Sequence, residues 1–118
     1  PIFLQTILGV MGGIGAHVEH LAHMKSTADR LLGDAYEWSV LGAGRDQFNM
    51  ITASAVMGSH VRVGLEDGLY IGRGELAESN ADQVAKIKRI LAELSIETAT
   101  PDEARGILGL KGLDQVGW

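Results

Sequence analysis

Phe3-Leu4-Gln5-Thr6-Ile7-Leu8-Gly9-Val10-Met11-Gly12-Gly13-Ile14-Gly15 begins as an apolar, β-branched run and ends in a glycine-rich stretch. Such a run, bounded by glycines, predicts a buried strand over about residues 3–10 that stops in a loop. A parallel strand covered on both faces has this continuous apolar character. Val18, Leu21, Ala22, Ala28, Leu31 and Leu32 follow at helical spacing and Gly33 ends them, predicting a helix from about His17 to Leu32. The order then repeats. Trp38 to Leu41 reads as a second strand (about 38–42), Gly42-Ala43-Gly44 as its turn, and Phe48, Ile51, Ala55 and Val56 as a second helix closed by Gly58. Val61 to Leu65 starts a third strand (about 61–66). After a loop, Ser79 with Asp82 three residues on caps a helix whose apolar positions are Val84, Ile87, Leu91 and Leu94. Thr100-Pro101-Asp102-Glu103 supplies an N-cap, a proline at the first helical position and an acidic N3 residue for a short last helix.

Strand-helix pairs of roughly 35 residues, three in succession, imply right-handed crossovers and a parallel sheet, hence the α/β class. Two architectures satisfy this order. One is a small doubly wound sheet; the other is three of the eight units of a (β/α)₈ TIM barrel, which needs about 250 residues. Periodicity leaves both open. No low-complexity linker interrupts the chain, so residues 1–118 are expected to form a single unit.

Composition narrows the function. The 118 residues are 46% hydrophobic and 21% charged, with 16 glycines and no cysteine. A formal charge of −5 and the absence of a basic cluster argue against nucleic acid as a partner. Without cysteine there is neither a disulfide nor a thiolate metal site, so a metal would be held by His, Asp or Glu; this suits a cytoplasmic protein. The longest apolar run falls far short of the roughly 20 residues of a membrane span, and no charged-then-apolar leader is visible.

In both architectures ligands bind at the carboxyl ends of the strands. There the third strand carries His60-Val61-Arg62-Val63-Gly64-Leu65-Glu66-Asp67. Alternation puts Val61, Val63 and Leu65 toward the helices and Arg62, Gly64 and Glu66 on the opposite face. A buried charge is costly unless it is paired or bound to a metal. An Arg62–Glu66 ion pair that only fixes the strand meets that requirement. Asp67 adds a second carboxylate at the strand's end, so the segment also offers a ligand, a base and a cation to orient the base.

The run from His60 to Tyr70, H-V-R-V-G-L-E-D-G-L-Y, closely resembles the closing strand of the β-keto acid cleavage enzymes. The likeness extends to Gln5-Thr6-Ile7-Leu8-Gly9-Val10-Met11-Gly12-Gly13, Trp38-Ser39-Val40-Leu41-Gly42-Ala43-Gly44-Arg45, Glu78-Ser79-Asn80-Ala81 and Ala99-Thr100-Pro101-Asp102-Glu103-Ala104-Arg105, covering essentially the whole chain. What the resemblance implies is a zinc-dependent (β/α)₈ barrel, with this sequence at strands six, seven and eight and more than half of the domain outside it. It also implies a Claisen-type exchange in which a β-keto acid and acetyl-CoA give acetoacetate and a new acyl-CoA. By position in the motif, Glu66 corresponds to the family's carboxylate zinc ligand, Asp67 to the proposed general base and Arg62 to the arginine that orients it. The two histidine ligands of the Zn²⁺ would lie on an early strand outside this chain, so the chain alone is expected to be inactive. It is further expected to form a homo-oligomer or to associate with the remainder of the barrel. Gly68 stands where an asparagine is common, and Met11 where proline is common; a changed loop shape or acyl specificity is expected from these departures.

Other features have simpler readings. His17, His20 and His23 are spaced by three, but successive steps of three drift round a helix, so a solvated edge is expected rather than a metal site. His60, six extended residues or roughly 20 Å from Glu66, should sit at the opposite rim with a structural role. Gly12-Gly13 and Gly42-Ala43-Gly44 are either phosphate cradles for CoA or compact turns. Trp38 reads as core, and Ser39 lacks a histidine partner for a nucleophilic role. A non-catalytic fragment that persists by pairing its open strand edges with another chain is the alternative to an enzyme.

Overall fold

The computed structural model describes residues 1–112 and 115–117, so three positions of the expected 1–118 unit, 113, 114 and 118, lie outside the described residues. The elements run β1 (Ile2–Leu8), α1 (Val18–Leu32), β2 (Tyr36–Gly42), a single 3-10 turn (Gly44–Asp46), α2 (Gln47–Val56), β3 (His60–Val61), β4 (Tyr70–Gly72), β5 (Glu75–Leu76), α3 (Asn80–Glu93) and α4 (Pro101–Leu108). β1, β2 and β3 form a parallel sheet in sequence order. The register pairs Gln5 with Ser39 and Ser39 with His60. This is a small α/β arrangement of parallel strands joined by helices, as the periodicity predicts.

One face of the sheet packs against the helices. Leu8, Trp38 and Val40 are buried with Leu21 of α1 and Met50 of α2, while Val61 and Val63 pack against Ile51 and Ala55 of α2 and Ile87 and Leu91 of α3. Burying each such aliphatic side chain stabilises the fold by about 1.5–3 kcal/mol. The other face bears Phe3, Gln5 and Ile7 on β1 opposite Glu37, Ser39 and Leu41 on β2. Phe3 and Ile7 remain 53% and 47% exposed there.

The caps follow the sequence closely. Ser79 accepts a hydrogen bond from the Asp82 amide at the start of α3, and Thr100 and Glu103 form a reciprocal capping box at α4. Three expectations need correction. The buried stripe of α3 is Gln83, Ile87 and Leu91, at spacing of four; Val84 and Leu94 are 44% and 45% exposed. Likewise Leu21 and Ala28 are the buried positions of α1, whereas Val18 and Leu31 face outward. The loop before α3 contains a hairpin, β4 paired antiparallel with β5 around Arg73-Gly74, where Gly74 has φ +75°. Strands of three and two residues are too short to show a period.

The third strand is much shorter than the expected 61–66. The Arg62 amide still bonds the Val40 carbonyl at 3.0 Å. Beyond it the ladder is diverted: the Gly64 amide donates to Gln47 Oε1 at 3.0 Å and the Leu65 amide to Asn80 Oδ1 at 2.8 Å. The chain then coils into a turn in which the Asp67 and Gly68 amides both donate to the Gly64 carbonyl, at 3.1 and 3.0 Å. An extended measure from His60 to Glu66 therefore does not apply.

Candidate active site

The turn from Gly64 to Gly68 carries Glu66 and Asp67 at the carboxyl end of β3. Its backbone is held from four sides. Besides the Gln47 and Asn80 contacts, Gln83 Nε2 donates to the Gly68 carbonyl at 2.6 Å, and the Gly44 amide donates to the Asp67 carbonyl at 2.6 Å. Gln47 and Gln83 are buried, at 1% and 0% exposure, so these are interior hydrogen bonds with little competition from water. Gly68 sits between them: a Cβ there would lie 2.8 Å from the Gly44 carbonyl oxygen and 3.1 Å from Gln47 Nε2. That contact leaves no room for a side chain at this position in this chain, and it ties Gly68 directly to the strap beneath Asp67.

Arg62 and Asp67 meet side-on. Arg62 Nε donates to Asp67 Oδ2 at 3.0 Å and Nη2 to Oδ1 at 3.0 Å. Two parallel charge-assisted bonds fix both the distance and the plane of the carboxylate. The Asp67 side chain is only 4% exposed, against 46% for Arg62. Glu66 differs. Its side chain is 85% exposed and touches Arg62 Nη2 at 3.4 Å. Arg62 does face away from the helices, as alternation predicts, but Glu66 reaches it across a turn rather than along a shared strand face. The strand-fixing Arg62–Glu66 pair is thus the weaker contact, and Asp67 is the arginine's main partner.

The polar line continues across the open face of the sheet. Gln5 Nε2 donates to Ser39 Oγ at 3.2 Å, and Arg62 Nη1 lies 3.5 Å from Gln5 Oε1. His60 sits at the amino end of β3, with Nε2 3.2 Å from Glu37 Oε2 and its ring stacked 6.4 Å from that of Phe3. Trp38 is core, 4% exposed, with its indole N–H donated to Thr6 Oγ1. On α1 the His20 ring caps the Gly15 carbonyl at 2.9 Å and packs edge-on against His17, while His23 is exposed. The amides of the glycine turns are largely in use: Ala43 donates to Leu8, Gly44 to Asp67 and Gly13 to Val10. Backbone N–H groups spent in this way cannot also cradle a phosphate.

Gln5, Gln47, Asn80 and Gln83 are the site-shaping residues that sequence reasoning passed over. Gln83 left a signal, a polar side chain at the i−4 position of an otherwise apolar helix stripe. Asn80 directly follows the Ser79 cap of α3, and its side chain turns away from the helix to the Leu65 amide, a pairing that capping rules do not indicate.

For a metal, Glu66 offers one exposed carboxylate with lone pairs to spare, which fits a single oxygen ligand. Among the described residues no group of three or more His, Cys, Asp or Glu comes together to hold an ion.

A parallel α/β sheet with an oriented carboxylate at the carboxyl end of a strand has the layout of an α/β enzyme. The chain belongs to the beta-keto acid cleavage enzyme family, whose pattern it matches over residues 1–110. It is 55% identical over 112 residues to the 3,5-dioxohexanoate:acetyl-CoA acetone transferase of Paraburkholderia graminis, covering 95% of this chain and 36% of that protein. It is 43% identical over 111 residues to the 3-keto-5-aminohexanoate cleavage enzyme of Fusobacterium nucleatum, covering 94% and 39%. The 3-oxoadipate:acetyl-CoA acetyltransferase of Cupriavidus necator is 34% identical over 113 residues, covering 96% and 39%. The chain therefore spans well under half the length of these relatives. Among the described residues no helix is long and apolar enough to cross a membrane.

Proposed function

We propose that residues 1–118 form the last three β/α units of a (β/α)₈ barrel that exchanges the acyl group of a β-keto acid with acetyl-CoA, giving acetoacetate and a new acyl-CoA. The observation that carries this reading is the side-on Arg62–Asp67 pair beside the exposed Glu66 carboxylate at the carboxyl end of β3. The barrel is supported by helices α1, α2 and α3 packing on one face only, which suits a barrel wall better than a doubly wound sheet with helices on both faces. β1 and β3 each pair with one neighbour among the described strands, leaving edges for further strands of the same sheet.

In this reading Asp67 is the general base that accepts a proton from the α-carbon of the keto acid. Arg62 holds the carboxylate in one plane so that an oxygen lone pair faces the substrate, and its remaining N–H groups lie toward the open face. Glu66 is one ligand of a Zn²⁺, with two histidines expected beyond this stretch of sequence. The ion, when bound, polarises the keto oxygen as a Lewis acid. Gln47, Asn80 and Gln83 keep the Gly64–Gly68 turn in place, and a displacement of about 1 Å at such a group costs on the order of 100-fold in rate. One carboxylate does not complete a metal site, so residues 1–118 alone are inactive on this reading.

The test uses the intact polypeptide that carries this sequence. Asp67→Asn lowers the acyl-exchange rate by about 10²–10⁴-fold with metal content unchanged. Glu66→Gln lowers both zinc content and rate. Unchanged zinc and unchanged rate in Glu66→Gln would sink the proposal.

A further inference from the structure

A cavity of about 640 Å³ opens between the start of α2 and the β4–β5 hairpin, floored by α3. Its lining includes Arg45, Arg73 and Lys86, with Asp46 as its single acidic residue. Three cations against one carboxylate is a marked local excess in a chain of formal charge −5. The three are held differently. Lys86 is fixed: Nζ donates to the Ile71 carbonyl and lies 4.4 Å above the Phe48 ring. An ammonium has three N–H donors, so a fixed Lys86 still has donors for a ligand. Arg45 is 93% exposed and only 3.8 Å from Asp46, and Arg73 projects from the hairpin turn without an ion pair among the described residues. The exposed ring of Tyr70 completes the wall.

The cavity is coupled to the carboxylate turn. Arg45 directly follows Gly44, whose amide is bonded to the Asp67 carbonyl at 2.6 Å. The hairpin follows the same turn a few residues on. The cavity and the carboxylate turn are thus joined through the Gly44–Arg45 backbone, and Tyr70 carries the wall on from the same turn. We infer that this pocket binds the phosphorylated adenosine end of the acyl-CoA co-substrate, with Arg45 and Arg73 closing on a phosphate against the fixed charge of Lys86. The inference rests on the proposed acyl-CoA exchange and adds to it a binding site made of side chains, where the glycine-turn amides are already committed. A planar guanidinium takes two phosphate oxygens at once, which is the recognition suited to a terminal phosphate.

The experiment compares acetyl-CoA, dephospho-acetyl-CoA and acetyl-pantetheine as acyl donors for the intact polypeptide and for the double variant Arg45→Ala/Arg73→Ala. The expected result is a rise of about tenfold or more in the KM for acetyl-CoA, with little change for acetyl-pantetheine or for the keto acid. Inorganic phosphate competes with acetyl-CoA in the parent and loses this effect in the variant. Lysine at both positions restores most of the acetyl-CoA preference. An unchanged KM for acetyl-CoA overturns the inference, as does an equal rise for acetyl-pantetheine, which marks a general disturbance of the site. If the parent shows no acyl exchange, the proposed function fails, and calorimetric titration with CoA decides the pocket separately. CoA binding lost in the double variant upholds it; equal binding by parent and variant, or none by the parent, overturns it.

Discussion

Gly68→Ala tests the close packing beneath the carboxylate turn. The added methyl would stand 2.8 Å from the Gly44 carbonyl oxygen, about 0.6 Å inside the 3.4 Å at which ordinary contact begins. Relief by rotation is blocked on the other side by Gln47 Nε2 at 3.1 Å. The loop at Gly44 must move instead, and its own amide is bonded to the Asp67 carbonyl at 2.6 Å. Overpacking of this kind costs about 1–3 kcal/mol, and loss of the Gly44–Asp67 bond adds about 1 kcal/mol. The expected destabilisation is therefore roughly 2–4 kcal/mol, read by denaturant unfolding of the intact polypeptide. Hydrogen exchange at the Gly44 amide supplies the local readout and should accelerate beyond the change in global stability. Because Asp67 shares the displaced strap, acyl exchange should fall by about 10- to 100-fold. A variant within about 0.5 kcal/mol of the parent, with Gly44 exchange unaltered, would refute the reasoning.

Gln83→Met keeps the volume of a buried side chain but leaves the Gly68 carbonyl without its donor. A loss of about 1–2 kcal/mol is expected, together with a lower exchange rate at unchanged metal content. Gly106→Ala, in α4 with open space around the new methyl, should instead stabilise by about 0.5–1 kcal/mol in thermal unfolding. Asp29 is held below its usual 3.8 by the hydrogen bond from Lys25 and then by that from the Tyr36 hydroxyl, and Lys25 is raised above 10.5 by the same contact. A depressed carboxylate pKa contributes stability above pH 3.8 that is lost as pH falls through the folded value. A raised ammonium pKa contributes below pH 10.5 and is lost as pH rises through its folded value. Asp29→Asn should therefore destabilise between these limits and converge with the parent in acid; a stability difference that persists well below pH 3.8 would contradict the assignment.

The order of strands and helices was legible because it depends on local causes. The apolar run from Ile2 to Leu8, the Ser79 cap and the Thr100–Glu103 capping box each act within a few residues. The family signature at His60 to Tyr70 was legible for a related reason, since the residues that would do the chemistry are neighbours in the chain. Alternation correctly sent Val61 and Val63 to the helices and Arg62 away from them. It failed from Gly64 onward, where partners from distant elements take over the backbone. Gln47 is 17 residues from Gly64, Asn80 is 15 from Leu65, and Gln83 is 15 from Gly68. No periodicity records such pairings. Sequence by itself determined the α/β order, the caps and the presence of Arg62, Glu66 and Asp67 at a strand's end. Tertiary structure alone decided that β3 stops at Val61, that Arg62 grips Asp67 more closely than Glu66, and that α2 and α3 hold the turn, because a hydrogen bond between distant segments exists only once packing has brought them together.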